Sequence, residues 1–321
     1  MTGRRPTVGV ALAVLNGTAT VDEALASVAW QWRQADAVVV VDDGSTDATA
    51  GRVGRWADRL PLTVVRHPAN RGLWAARNSG IDALGTDLVA FLDADDVWLP
   101  DHLGSLEELA GPGQIVSPSA LEWVPGEAVR PRAVGADRKT GGRITSRSAV
   151  ATRRRLITEN FLFSGSMVSL TDVRAVGGCR PFPASEDWDL WLRMVRRGCE
   201  VRVCPAPTVL YRRHPASMSH ALGCLPADVA VLNAYLSEEP DSDLRRVARR
   251  TLADRRARAA VERAMTSARA GCSLGARRHA IAGLVGRPRT ALLGIGMLVA
   301  PGSTARGWAG SGYQRLRRVG R

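Results

Sequence analysis

The segment LVAFLDADDVWLP, Leu88 to Pro100, decides how the rest of the chain is read. Its first five residues are an unbroken apolar run, too short for a helix and bounded by polar residues. That pattern predicts a buried strand over Leu88–Leu92. Asp93-Ala94-Asp95-Asp96 follows at once. Three carboxylates in four residues repel one another and add nothing to a fold, yet the carboxyl end of a strand in an open α/β sheet is where ligands sit. Hard oxygen ligands there suit Mg²⁺ or Mn²⁺, which would in turn hold a diphosphate.

The residues upstream repeat the same grammar. Val8 to Leu15 reads as a strand that runs into Asn16-Gly17. Val21, Leu25, Val28 and Trp32 recur at the spacing of one helical face. Ala37 to Val41 holds four consecutive valines, which predicts a strand buried on both sides. It ends in Asp42-Asp43-Gly44-Ser45-Thr46-Asp47. Gly44 permits a tight turn there, and Ser45 or Thr46 is expected to cap a helix running through Asp58. Leu62–Arg66 reads as a strand and Gly72–Leu84 as a helix. Alternating strands and helices predict an α/β fold with right-handed crossovers. The expected architecture is a Rossmann-like, mostly parallel central sheet with helices on both faces. In a parallel sheet Asp42-Asp43 and Asp93-Ala94-Asp95 emerge on one side, so both face one cleft.

Downstream the pattern loosens. A helix is expected over Asp101–Leu109, a strand within Gln114–Trp123, and a polar, Gly- and Arg-rich excursion from Pro125 to Arg147. Phe161 to Leu170 is apolar and dotted with serines. Glu186-Asp187-Trp188-Asp189 opens a helix that stops at Gly198, and short strands follow at Val201–Cys204 and Val209–Arg212. From Pro226 onward helices with Arg-rich faces are expected. Ala291–Ala300 is an apolar stretch of ten residues stopped by Pro301-Gly302, read as a packed or interfacial helix.

Composition narrows the function classes. The chain has 321 residues, 45% of them hydrophobic, enough for one large α/β domain or two smaller ones. The formal charge is +13, and it is unevenly placed. From Asp241 onward there are 18 arginines against four acidic residues, while the first 240 residues net −1. The basic character therefore belongs to the C-terminal region and points to anionic partners: phospholipid head groups at a membrane surface, nucleic acid or acidic polymers. Lys139 is the sole lysine, which confines Schiff-base or phosphate-lysine chemistry to one residue. The five cysteines are odd in number and form no CxxC, so reduced thiols in a cytoplasmic setting are expected. Cys204, His214, His220 and Cys224 have no usual zinc spacing. The N-terminal apolar run is too short for a signal peptide, and no segment reaches the ~18–20 apolar residues of a membrane span.

Two bare carboxylates at ~4 Å cost on the order of 4 kcal/mol at an effective dielectric of 20, so a cluster facing a diphosphate needs a divalent cation between them. The glycine loops that cradle phosphates in dinucleotide and Walker sites are absent from the chain.

Five motifs, in this order, resemble the family-2 glycosyltransferases, inverting nucleotide-sugar enzymes of the GT-A fold. They are VVVVDDGSTD (Val38–Asp47), NRGLWAARNSG (Asn70–Gly80), FLDADDVWLP (Phe91–Pro100), SEDWDLWLR (Ser185–Arg193) and YRRHPASMS (Tyr211–Ser219). The resemblance spans about residues 7–220. It implies a catalytic domain over 1–220, with a nucleotide-binding half at about 7–110 and an acceptor half at about 111–220. A basic, mainly helical region occupies 221–321.

The resemblance also implies residue roles. Asn16 and Asp43 fall in the nucleotide-sugar site, Asp43 reading the base, and Arg77 lines the nucleotide pocket. Asp93 touches ribose, and Asp95 binds Mg²⁺ or Mn²⁺ with His214 as a further metal contact. Glu186 completes the donor site, and Asp187 is the general base toward an acceptor hydroxyl. The expected partners are a nucleoside-diphosphate sugar and a hydroxyl acceptor, either a lipid-linked or cell-envelope glycan or a small molecule. The expected location is the cytoplasm or the cytoplasmic face of the membrane.

Two features differ from the family pattern. The first strand ends Ala13-Val14-Leu15-Asn16 where the family has Pro-x-Tyr-Asn, so a stacking aromatic is missing. No QxxRW follows the Glu-Asp pair, which favours single addition over processive synthesis. Two rivals are weaker. A haloacid-dehalogenase-like phosphatase carries its DxD after the first strand and pairs it with a lysine. A nucleic-acid-binding protein would interleave aromatics with its arginines, and from Asp241 onward only Trp308 and Tyr313 are aromatic.

Overall fold

The computed structural model describes residues 4–132, 149–214 and 224–269. The chain divides into two compact units, Met1–His220 and Ala221–Arg321.

The first unit is built on one nine-stranded mixed sheet. Its parallel half consists of β1 (Val8–Val14), β2 (Ala37–Asp42), β3 (Leu62–Arg66) and β4 (Leu88–Asp93). These stand in the order β3-β2-β1-β4. The valine run of β2 is buried throughout, as a strand covered on both faces requires. Val8, Val10, Leu12 and Val14 of β1 face one layer and pack with Val21, Leu25 and Val28 of α1 (Val21–Ala29), Val53 of α2 (Thr49–Gly54), and Leu103 and Leu106 of α4 (His102–Glu107). The alternate residues face α3 (Leu73–Ala83). A Cβ on Gly80 of that helix would lie 3.1 Å from the Ala11 Cβ, so this glycine lets α3 sit close on the sheet.

Beyond β4 the sheet turns mixed. β5 (Val97–Trp98), β6 (Gln114–Trp123), β7 (Arg130–Arg132), β8 (Met167–Ser169) and β9 (Glu200–Arg212) continue it in the order β4-β8-β6-β9-β5, with β7 beside β6. β8 is antiparallel to β4 and β6, whereas β6 and β9 run parallel. The parallel character expected of the sheet as a whole is thus strongest in its N-terminal half. α5 (Ala149–Thr158), α6 (Leu170–Ala175) and α7 (Glu186–Arg196) complete the unit.

Four local expectations are corrected. The first helix ends at Ala29, and Trp32 is 81% exposed rather than on its inner face. Trp32 N instead donates to Pro100 O at 2.8 Å, which pulls the chain out of the helix. Neither Ser45 nor Thr46 caps α2; Asp47 Oδ1 accepts from Thr49 N at 3.0 Å. The two short strands expected after Gly198 are one strand, β9, with a register shift opposite Ser117–Ser119. β7 lies within the stretch expected to be an excursion; residues 133–147 of that stretch, with Lys139, are outside the described residues, as are His220 and the apolar run at Ala291–Ala300.

In the second unit, α8 (Cys224–Glu238) and α9 (Ser242–Arg269) pack as a helical hairpin. Arg255 Nε meets Asp228 Oδ2 at 3.1 Å, and Arg256 Nη2 donates to Asn233 Oδ1 at 3.2 Å. Among the described residues no helix is long and apolar enough to cross a membrane.

Candidate active site

Strand register sets the floor of the site. Val14 of β1 pairs with Asp42 and the adjacent Ala13 pairs with Asp93. The two aspartates therefore flank one strand at its carboxyl end, offset by one residue, with their backbones about two strand spacings or roughly 10 Å apart.

Asp42 and Asp43 turn out to organise the loops around them. Asp42 is fully buried and its Oδ1 accepts from Ser45 N at 2.8 Å. Asp43 is 4% exposed. Its Oδ1 accepts from Arg71 N at 2.9 Å and lies 2.6 Å from His67 Nδ1, and its Oδ2 accepts from Gly72 N at 2.9 Å. A carboxylate offers about four acceptor positions, so Asp43 retains one for a further donor such as a base N–H. His67 Nε2 is in turn 2.9 Å from Ser79 Oγ of α3. Asn16 sits with φ 51° at the end of the first strand. Its Oδ1 accepts from Thr46 N at 2.9 Å, and its own N–H donates to Ser45 Oγ at 2.9 Å. Asn tolerates this left-handed conformation, which is why it serves here.

Arg77 is the link between the two halves. It is 6% exposed on α3. Its Nη2 donates to Asp93 Oδ1 at 2.7 Å, and its Nη1 pairs with Glu186 Oε1. Burial alone would lower the Arg77 pKa, but the two carboxylates hold it above the ordinary arginine value. Ser164 Oγ donates to the other Asp93 oxygen at 2.5 Å.

Glu186 and Asp187 open α7, where acidic residues complement the helix dipole. The preceding Ser185 has φ 61°, a strained left-handed backbone that aims the Glu-Asp pair. Trp188, Leu190, Trp191, Leu192, Met194 and Val195 anchor the helix in the core. Glu186 is 2% exposed, and burial pushes its carboxyl up to about 7 despite the pull of Arg77, with repulsion from Asp187 adding to the rise. Asp187 is half-buried and is also raised by burial, against the attraction of Arg77. It accepts from Trp188 N at 2.7 Å and from Asn160 Nδ2 at 3.2 Å.

Asp95 and His214 meet at 3.0 Å, Oδ2 to Nε2. Arg212 fixes this corner. Its N–H donates to Asp96 Oδ1 at 3.0 Å, its Nε donates to Asp95 O at 2.8 Å, and its guanidinium lies 4.1 Å over Trp123. Burial, then the Asp93 charge, raises the Asp95 pKa, so this carboxylate gains from a nearby cation. Two ligands at right angles on an octahedral Mg²⁺, each ~2.1 Å from it, stand about 3 Å apart, the spacing found here. Asp95 and His214 therefore fit a divalent ion that takes its remaining ligands from water and phosphate. Among the described residues no group of three or more His, Cys, Asp or Glu forms a closed metal cage.

The structure thus joins Asp93 and Glu186 through the buried Arg77, with Asp187 next to Glu186 on α7, and places Asp95 with His214. Asp43 and Asn16 belong to the loops at the ends of the first two strands. Sequence reasoning missed His67, Asn160 and Ser164. His67 carried a signal, a polar residue just past the carboxyl end of a parallel strand. Asn160 and Ser164 carried none, because an isolated Asn or Ser is ordinary in any loop.

Comparison with known proteins bears on the family and the fold. Residues 10–133 match the glycosyl transferase family 2 profile. The succinoglycan biosynthesis protein ExoU of Rhizobium meliloti (strain 1021) is 43% identical over 109 residues, 33% of this chain and 31% of that protein. The pre-mycofactocin glycosyltransferase of Mycobacterium tuberculosis (strain ATCC 25618 / H37Rv) is 32% identical over 185 residues, 54% of this chain and 37% of that protein. The matches to the first three curated relatives span 31%, 26% and 31% of their length.

Among solved structures, S. aureus TarS 1-349 in complex with UDP-GlcNAc superposes with a TM-score of 0.62 at 18% identity, covering 96% of this chain and 92% of that one. The mannosyltransferase PcManGT from Pyrobaculum calidifontis, in complex with GDP-Man and Mn²⁺, gives 0.59 at 18% identity, covering 96% and 85%. At that identity the likeness speaks for the fold. Fold and family profile together identify this chain as carrying a family-2 glycosyltransferase domain of the GT-A type.

Proposed function

We propose that the protein transfers a single sugar from a nucleoside-diphosphate sugar to an acceptor hydroxyl, with inversion at the anomeric carbon. The observation that carries this reading is the Arg77 bridge. It ties Asp93, at a strand end where nucleotides bind in α/β sheets, to Glu186 beside Asp187. A donor site and a proton acceptor are thereby held in one frame.

In this reading Asp43 and Asn16 border the base, and Arg77 and Asp93 border the ribose. Glu186 fixes Arg77 from the side of the acceptor. Asp187 takes the proton of the acceptor hydroxyl as its oxygen bonds to the anomeric carbon and the bond from that carbon to the diphosphate oxygen breaks. Asn160 and the Trp188 N–H hold the carboxylate in place. A Mg²⁺ or Mn²⁺ ion held by Asp95 and His214 would supply charge neutralisation for the departing diphosphate.

An envelope glycan or lipid-linked sugar is the acceptor class we favour, supported by the named role of the succinoglycan relative. We place the reaction in the cytoplasm, a setting that suits the free thiols of Cys179, Cys199 and Cys204.

The test is Asp187→Asn. It should keep nucleotide binding, seen as an unchanged ligand-induced rise in Tm across a panel of nucleoside diphosphates with Mn²⁺. Transfer should fall by roughly 10²–10⁴-fold. Near-normal turnover would assign the base elsewhere.

A further inference from the structure

We propose that one face of α9 is a docking surface for an anionic phospholipid bilayer. Arg246, Arg249, Arg250 and Arg256 are all exposed. At 100° per residue they fall within about 120° of arc and span about 15 Å of helix. The opposite side buries Leu244, Ala248, Thr251 and Leu252, so the helix is fixed with its arginines facing away from its packing partners. Ala253, in the middle of the basic stripe, is exposed and small. It leaves the stripe flat.

The distribution of counter-charges sets these four residues apart from the other arginines of the helix. Arg255 meets Asp228 Oδ2 at 3.1 Å, and Arg258 meets Asp254 Oδ2 at 2.9 Å. Those guanidiniums are neutralised within the hairpin. On the stripe, Arg256 reaches only the neutral Asn233 Oδ1 at 3.2 Å. Arg249 and Arg250 have no acidic partner among the described residues. Arg246 pairs with Asp243 in the first turn, an exposed contact that a phosphate can displace at little cost.

Guanidinium groups bind phosphate through paired N–H donors, and they are less strongly hydrated than ammonium groups. A straight, flat row of them matches a plane of lipid phosphates. The 28 residues of α9, Ser242–Arg269, include no aromatic side chain, so the platforms on which single-stranded nucleic acid stacks are missing.

The experiment is vesicle co-sedimentation of the full chain. Phosphatidylcholine vesicles are compared with vesicles containing about one third phosphatidylglycerol, at about 50 mM and about 500 mM salt. Binding is expected on the anionic vesicles at low salt, with loss at high salt. Each basic residue at such a surface is worth roughly fivefold in partitioning. Replacing all four with Gln should therefore weaken binding by about a hundredfold or more. The matching fourfold Lys variant retains the charge and should bind within about tenfold of the parent. Circular dichroism of each variant verifies that the helices persist. Equal binding to neutral vesicles, or undiminished binding by the Gln variant, would overturn the proposal. So would tighter binding to duplex nucleic acid than to vesicles in direct competition.

Discussion

Arg77 Nη2 stands 2.7 Å from Asp93 Oδ1 while the other end of the same guanidinium holds Glu186. One buried cation is thus shared between the end of a parallel strand and the start of a helix more than ninety residues later. Removing it leaves two carboxylates facing each other in a desolvated place. Arg77→Met is expected to lower unfolding stability by about 3 kcal/mol, since stripping one partner from a buried ion pair costs more than the pair is worth. Arg77→Lys should recover only part of it, because an ammonium cannot fork between two carboxylates. Urea denaturation checks both.

Glu186 makes stability depend on pH. Its folded-state pKa is raised from 4.5 to about 7, so the folded chain binds more protons than the unfolded chain between those values. Stability is expected to fall as pH rises from about 4.5 to about 7 and to level off above that window. Glu186→Gln should flatten that slope. Thermal unfolding at several pH values measures it.

Asn160→Ala removes a donor that favours the charged form of Asp187. The acid limb of the kcat/KM profile is expected to move to higher pH. On that acid limb the rate should fall below that of the parent, with near-parental rates on the alkaline plateau. An Asn160 that only braced a loop would lower the rate equally at every pH.

Asp95→Asn should abolish the Mn²⁺-dependent part of nucleotide binding while leaving any metal-independent part. The check is a Tm series with and without Mn²⁺; a ligand at about 100 times its Kd stabilises by about 2.7 kcal/mol, well within what such a series resolves.

His67 separates two hydrogen bonds. Asn in its place can still donate to Asp43, whereas Gln reaches toward Ser79 and leaves Asp43 short of a donor. Nucleotide affinity is expected to fall by roughly tenfold for His67→Gln and by less than about threefold for His67→Asn, since one hydrogen bond to a charged group is worth about 1.5 kcal/mol. Isothermal titration with the preferred nucleoside diphosphate reads the difference.

The parallel half of the fold was written in the chain itself. The apolar runs of β1, β2 and β4, each of strand length and ending in Asp or an Asn-Gly turn, leave few topologies, because burial on two faces and right-handed crossovers are local consequences of pattern and chirality. The same pattern put Asp42 and Asp93 at the same end of the sheet. What the chain could not state alone was which partners those carboxylates find. Arg77 meets Glu186 across 109 positions, His214 meets Asp95 across 119, and Asn160 meets Asp187 across 27. Such pairings depend on how distant elements stack, and no spacing rule encodes them. The mixed half of the sheet was hidden for the same reason. β8 is only three residues long and pairs with β4 and β6 far along the chain, so its strand character comes from its neighbours rather than from its own three residues.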